Sequence, residues 1–119
     1  MITRINRGMD FAEKAAYFSC CPTYKLGAVL MHVNKVISIG FNKLKTDPRS
    51  TNSRKTVHAE YDALGRIEAR GLVLYVCRIT NGHRAMAMPC EDCYKLCKRQ
   101  EIKEIFYSDY FGLIQKLNL

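Results

Sequence analysis

Two apolar runs, Lys25–Met31 (KLGAVLM) and Val36–Phe41 (VISIGF), are separated only by His32-Val33-Asn34-Lys35. So short a connection predicts an antiparallel hairpin, and runs this apolar predict interior strands covered by helices on both faces. Gly27 and Gly40 interrupt the two runs, which marks a bulge or a close approach to the backbone. His32 falls in the turn and is expected at the surface. Leu72–Ile79 (LVLYVCRI) is the clearest strand, β-branched and aromatic. Asn81-Gly82 after it is a type I′ turn signal, so His83–Met88 should fold back as a short ribbon, with His83 at the surface rather than at a metal. Ile102–Tyr107 and Leu113–Leu119 read as two further strands. Their link is too short for a crossover helix, so they should pair antiparallel.

Between the strands lie three helical patterns. The first, Met9 to Phe18, places Phe11, Ala15 and Phe18 at core spacing and stops at Ser19-Cys20-Cys21-Pro22. The second starts near Val57–His58 and runs to about Ala69, with Gly71 as its stop. The third runs from Cys90 to about Gln100 behind Pro89. Helices on both faces of a mixed five-stranded sheet make an α/β chain of three layers, α/β/α. Asn42–Lys55 is polar and turn-rich. Its Lys43, Lys45 and Arg49 make it a candidate phosphate- or strand-contacting loop.

Length and composition narrow the setting. A chain of 119 residues is expected to form one domain, 1–119. With 48% hydrophobic and 25% charged residues it is ordinary globular material. No apolar run has the length of a membrane span, and Met1–Arg7 lacks the apolar stretch of a leader, so a cytoplasmic chain with no membrane partner is expected. The six cysteines show no disulfide spacing. A formal net charge of +8 favours phosphate-bearing ligands, nucleotide and polynucleotide alike.

The chemistry gathers in His58-Ala59-Glu60 and Pro89-Cys90-Glu91-Asp92-Cys93. One imidazole and two thiolates suit Zn²⁺, and three protein ligands leave a tetrahedral ion one open position. Cys90 and Cys93 are about 60° apart around a helix, so both sulfurs reach one side. His58 and Glu60 are about 200° apart and converge only at a helix tip. Cys97 shares the thiol face, but two turns along, about 10 Å from the helix start, it belongs to the core. A sealed four-ligand module that only binds nucleic acid is the remote alternative. Glu60, beside an open ligand position, argues against it.

The H-x-E and P-C-x-x-C pattern is the signature of zinc-dependent nucleobase deaminases. Over nearly its whole length the chain resembles the cytidine/deoxycytidylate deaminase superfamily. It looks most like the small deoxycytidylate-deaminase-type proteins of phages and large viruses, in which a G-F/Y-N strand end and a T-x-P loop precede HAE. The resemblance implies a cytidine-deaminase-like fold, His58, Cys90 and Cys93 as zinc ligands and Glu60 as proton shuttle. It further implies Asn42 as sugar contact, the Ala59 backbone against the base, and a homo-oligomer, in the host cytoplasm if the source is viral. Deoxycytidylate deaminases often carry Ser-x-Cys-x-Arg before the first strand. Here Ser19-Cys20-Cys21-Pro22-Thr23 puts threonine in the arginine's place. The C-terminal hairpin resembles the free-cytidine branch. The implied reaction is hydrolytic deamination of cytosine in a free (deoxy)cytidine nucleoside or nucleotide. The alternative is cytosine, less readily adenine, within single-stranded DNA or RNA.

Overall fold

Eight strands and three helices are laid out along the computed structural model, which describes residues 3–21, 24–44, 56–65 and 67–119. In chain order these are α1 (Arg4–Ala16), β1 (Lys25–His32), β2 (Lys35–Phe41), β3 (Lys43–Leu44), β4 (Thr56–Val57), α2 (Ala59–Leu64), β5 (Val73–Thr80), β6 (His83–Ala85), α3 (Glu91–Arg99), β7 (Glu104–Ser108) and β8 (Ile114–Leu117). The main sheet runs β2-β1-β5-β7-β8, and β6 pairs with the last residues of β5. Among the described strands only β5 and β7 pair parallel; the terminal pair β7–β8 is antiparallel, as its short link requires. The expected five strands are six, because the ribbon after Asn81-Gly82 pairs as β6. Both residues of that turn have positive φ, 53° and 78°, as a type I′ turn demands.

Two cores flank the sheet, which gives the three layers. On one face α1 packs Met9, Ala12, Ala15 and Ala16 against Val29, Met31, Tyr75, Cys77 and Phe106. On the other, Ala59, Ala63 and Leu64 of α2 and Cys97 of α3 pack against Ala28, Leu30, Leu74, Val76 and Ile105. Glycines set the spacing. A Cβ on Gly27 would fall on the backbone of Ala12 and Ala16, and one on Gly40 on the backbone of Ala59 and Ala63. These adjacent strands therefore hold α1 and α2 at backbone contact on opposite faces, the close approach that the interrupted runs imply.

Several elements depart from the sequence reading. Helix α1 begins at Arg4, not Met9, because the Thr3 hydroxyl accepts from the Asn6 N–H at 3.1 Å and caps it. It ends before Phe18, which is exposed while Phe11 is half-buried. Strand β2 is an edge, not an interior strand: Ile37 and Ile39 remain 40% and 50% exposed on its uncovered side. Helix α2 stops at Leu64, five residues short of Ala69, where the Ser38 hydroxyl donates to the Ala63 carbonyl at 2.7 Å and Gly65 caps the end. Residues at both ends of the basic loop pair as β3 and β4. Among the described residues no helix is long and apolar enough to cross a membrane.

Candidate metal centre

His58 and Cys90 occupy equivalent positions, each the N-cap of the helix that follows it, with extended backbone (ψ 146° and 170°). An N-cap side chain ordinarily accepts from the first-turn N–H groups. Neither does so here; both side chains turn to each other and to Cys93. The His58 Nδ1 lies 3.3 Å from the Cys93 Sγ and 3.6 Å from the Cys90 Sγ. The donor atoms of the three residues all fall within 4.8 Å of one another. Cys93 is buried and Cys90 faces solvent, so the cluster closes on one side and opens on the other. Tyr61 sets its ring edge-on to the imidazole at 6.5 Å.

Glu60 sits against the cluster near Cys93 and His58, 3% exposed, and its Oε1 is the one buried side-chain oxygen or nitrogen among the described residues without a hydrogen-bond partner. Burial holds its carboxyl above the usual carboxylate range, against the lowering by its own backbone N–H, Cys93 and His58. Burial, with Glu60 and Cys90 close by, also raises the Cys93 thiol. Both charged forms lack a compensating cation, and a dication bound between them supplies one. Two thiolates, one imidazole and a free face are the ligand set of a zinc site with an open position. Cys97 is buried in the core and stands outside the cluster. Burial and the Glu60 charge push its thiol up to about 12, so it remains protonated.

Ala59 begins α2, buried, with its carbonyl toward Gly40. Asn42 is 1% exposed, and its carboxamide clamps the start of β1: Oδ1 accepts from the Leu26 N–H at 2.8 Å and Nδ2 donates to the Tyr24 carbonyl at 3.3 Å. It precedes Lys43, which pairs with Val57 next to His58, and little of it is exposed. Lys43, a candidate phosphate or strand contact, is paired to Asp62 at 3.0 Å and lies over the Phe41 ring. Lys45 and Arg49 lie outside the described residues. His32 and His83 are exposed. Sequence reasoning passes over Arg78, which stands at the same end of the sheet; its one signal is a cation interrupting the otherwise apolar LVLYVCRI run.

A family model of the cytidine and deoxycytidylate deaminase zinc-binding region matches residues 3–109. No curated protein matches. Among solved structures, the apo dCMP deaminase of cyanophage S-TIM5 is similar with a TM-score of 0.69 and 23% identity, over 89% of this chain and 82% of that one. The same phage enzyme in complex with dCMP and dUMP gives 0.65 and 23%, over 86% and 78%. The cytidine deaminase of Burkholderia pseudomallei gives 0.71 and 18%, over 93% and 89%. At these identities the likeness is one of fold.

Proposed function

Because the chain belongs to the cytidine and deoxycytidylate deaminase family of zinc-dependent hydrolytic deaminases, we propose that it converts cytosine to uracil in a free (deoxy)cytidine nucleoside or nucleotide. Water is consumed and ammonia released. The observation that carries this reading is the buried Glu60 carboxylate, with Oε1 unpartnered, beside a three-donor cluster that has an open side.

His58, Cys90 and Cys93 would hold the ion. Zinc bound there supplies Lewis acidity, which makes water acidic enough to act as a nucleophile near neutral pH. Glu60 does the rest of the proton work. Its carboxyl, held against the cluster, is placed to take a proton from water as the C4–O bond forms. It hands that proton to N3 and then carries the proton of the new C4 hydroxyl to the amino group, which leaves as ammonia as the C4 carbonyl forms. Ala59, between the ligand and the shuttle, sets their spacing and presents its backbone toward the base.

Ammonia release from cytidine, deoxycytidine and dCMP by the zinc-loaded protein tests the reaction. Glu60→Gln should lower turnover by about 10²–10⁴-fold or more while zinc content stays at wild-type level. Undiminished turnover in that variant would remove Glu60 from the chemistry.

A second reading moves the same reaction to cytosine within single-stranded nucleic acid. It is favoured by the +8 charge and by a groove of about 490 Å³ lined by Tyr61, Asp92, Lys95, Lys98 and Arg99. Oligonucleotide binding that falls steeply with salt would support it, whereas deamination of a free nucleoside should be nearly salt-independent.

A further inference from the structure

Two arginines stand at the metal-bearing end of the sheet, and they differ in what neutralises them. Arg84, on β6, faces α1 and is saturated: Nη2 meets Asp10 at 2.8 Å and Nε meets Glu13 at 2.7 Å. Arg78, on β5, follows the Leu72, Leu74, Val76 alternation and so projects on the α2/α3 side. It is half-buried, and among the described residues it has no carboxylate partner. Its guanidinium is nonetheless held. The Cζ lies 4.3 Å over the centroid of the Tyr24 ring, and Nε donates to the Thr80 hydroxyl at 3.3 Å. Both contacts fix the plane and leave the two terminal nitrogens, the edge that meets a planar or tetrahedral oxyanion in bidentate fashion, with no partner among the described residues.

Its placement lies between the two ligand-bearing segments. On one side Arg78 pairs with Leu26, whose N–H is held by Asn42, and the next residue, Lys43, pairs with Val57 beside His58. On the other it pairs with Ala85, which Ser108 bridges through a hydroxyl bond of 2.6 Å. The Ser108 carbonyl takes the Ala87 N–H at 2.8 Å, and Cys90 follows three residues later. A cytosine with C4 at the metal has its sugar directed away from the ion, because the glycosidic N1 is across the ring from C4.

We propose that Arg78, oriented by Tyr24 and Thr80, binds the phosphate on the sugar of the cytosine substrate, so that the phosphorylated form is preferred over the nucleoside. This rests on the deaminase reading above for its substrate, but a binding measurement separates the two. Product binding needs no turnover: calorimetry on the zinc-loaded protein should show dUMP bound at least tenfold tighter than deoxyuridine. Arg78→Gln should collapse that ratio toward one, and Arg78→Lys, which keeps the charge without the fork, should restore part of it. In turnover, the dCMP to deoxycytidine ratio of kcat/KM should fall at least tenfold in Arg78→Gln.

Should that variant fold poorly, the unaltered protein still decides. Millimolar inorganic phosphate should raise KM for dCMP and leave KM for deoxycytidine in place. A ratio unmoved in an Arg78→Gln protein of wild-type thermal stability and zinc content, or dUMP binding no tighter than deoxyuridine, overturns the proposal. Arg78-dependent dUMP binding without deamination of any cytosine substrate would sink the deaminase reading and keep the phosphate site. A short single-stranded oligonucleotide that outcompetes dCMP in an Arg78-dependent way supports the anion site and makes its phosphate a diester.

Discussion

Gly40→Ala tests whether the centre depends on how closely β2 approaches α2. A Cβ at residue 40 would lie on the Ala59 carbonyl and the Ala63 amide, both backbone atoms of a short helix that cannot rotate aside. Ordinary carbon contacts need about 3.5–4.0 Å, so α2 must move by roughly 1 Å. Overpacking of this kind costs about 1–3 kcal/mol, offset by about 0.4–1 kcal/mol from the less flexible unfolded chain. The displaced helix carries His58 and Glu60, and a misplacement of about 1 Å costs about 10²-fold in rate. Gly27→Ala is the control. It drives the same clash into Ala12 and Ala16 of α1, on the opposite face, where no metal donor sits. Both variants should lose comparable stability in thermal melts. Only Gly40→Ala should lose turnover by about two orders of magnitude and bind zinc more weakly in a chelator competition. Equal zinc affinity and equal turnover in the two variants would refute the coupling.

Three further outcomes are expected. Cys93→Ala should abolish stoichiometric zinc by elemental analysis, whereas Cys97→Ala should keep one zinc per chain and lose about 1–2 kcal/mol to the cavity; zinc loss in the second would make the site a sealed one. Val33, a β-branched residue at φ 57° in the β1–β2 turn, should gain about 0.5–1 kcal/mol in urea melts as Val33→Gly, strain relief exceeding the added chain entropy. Asp109 accepts from the Gln115 amide and from the Leu113 and Phe111 N–H groups, which hold its carboxyl below the usual range. Its contribution is therefore present above about pH 4, the unfolded value, and is lost as pH falls through the lower folded one. Asp109→Asn should flatten that acid limb of the melting temperature; an unchanged slope would count against it.

Much of the centre is legible in the order of residues alone, because it depends on local geometry. Two residues 200° apart around a helix can meet only at its tip, and His58 is that tip. Proline before Cys90 and the three-residue thiol spacing likewise fix the start of α3. Gly27, Gly40 and Asn81-Gly82 name the tight places for the same local reason. What is not legible depends on neighbours. Ile37 and Ile39 read as core because nothing in VISIGF says that β2 has a partner on one side only. That Asn42 clamps the start of β1 is hidden because the two backbone groups it bonds come from Tyr24 and Leu26, far away in the chain. Lys43 reads as a free cation because Asp62 lies 19 positions downstream. The same dependence hides Arg78, which gains meaning only when Tyr24 is folded beneath it.

His58 and Cys90 both stand where a serine or an aspartate would normally secure the first turn of a helix, and neither secures it. The ion thus doubles as a fastener for two helix beginnings that come from distant parts of the chain. Under metal starvation those two first turns should fray and exchange their amide protons early, with the sheet and α1 still closed. Such a protein would be idle but not ruined, able to return to work on resupply without refolding its core.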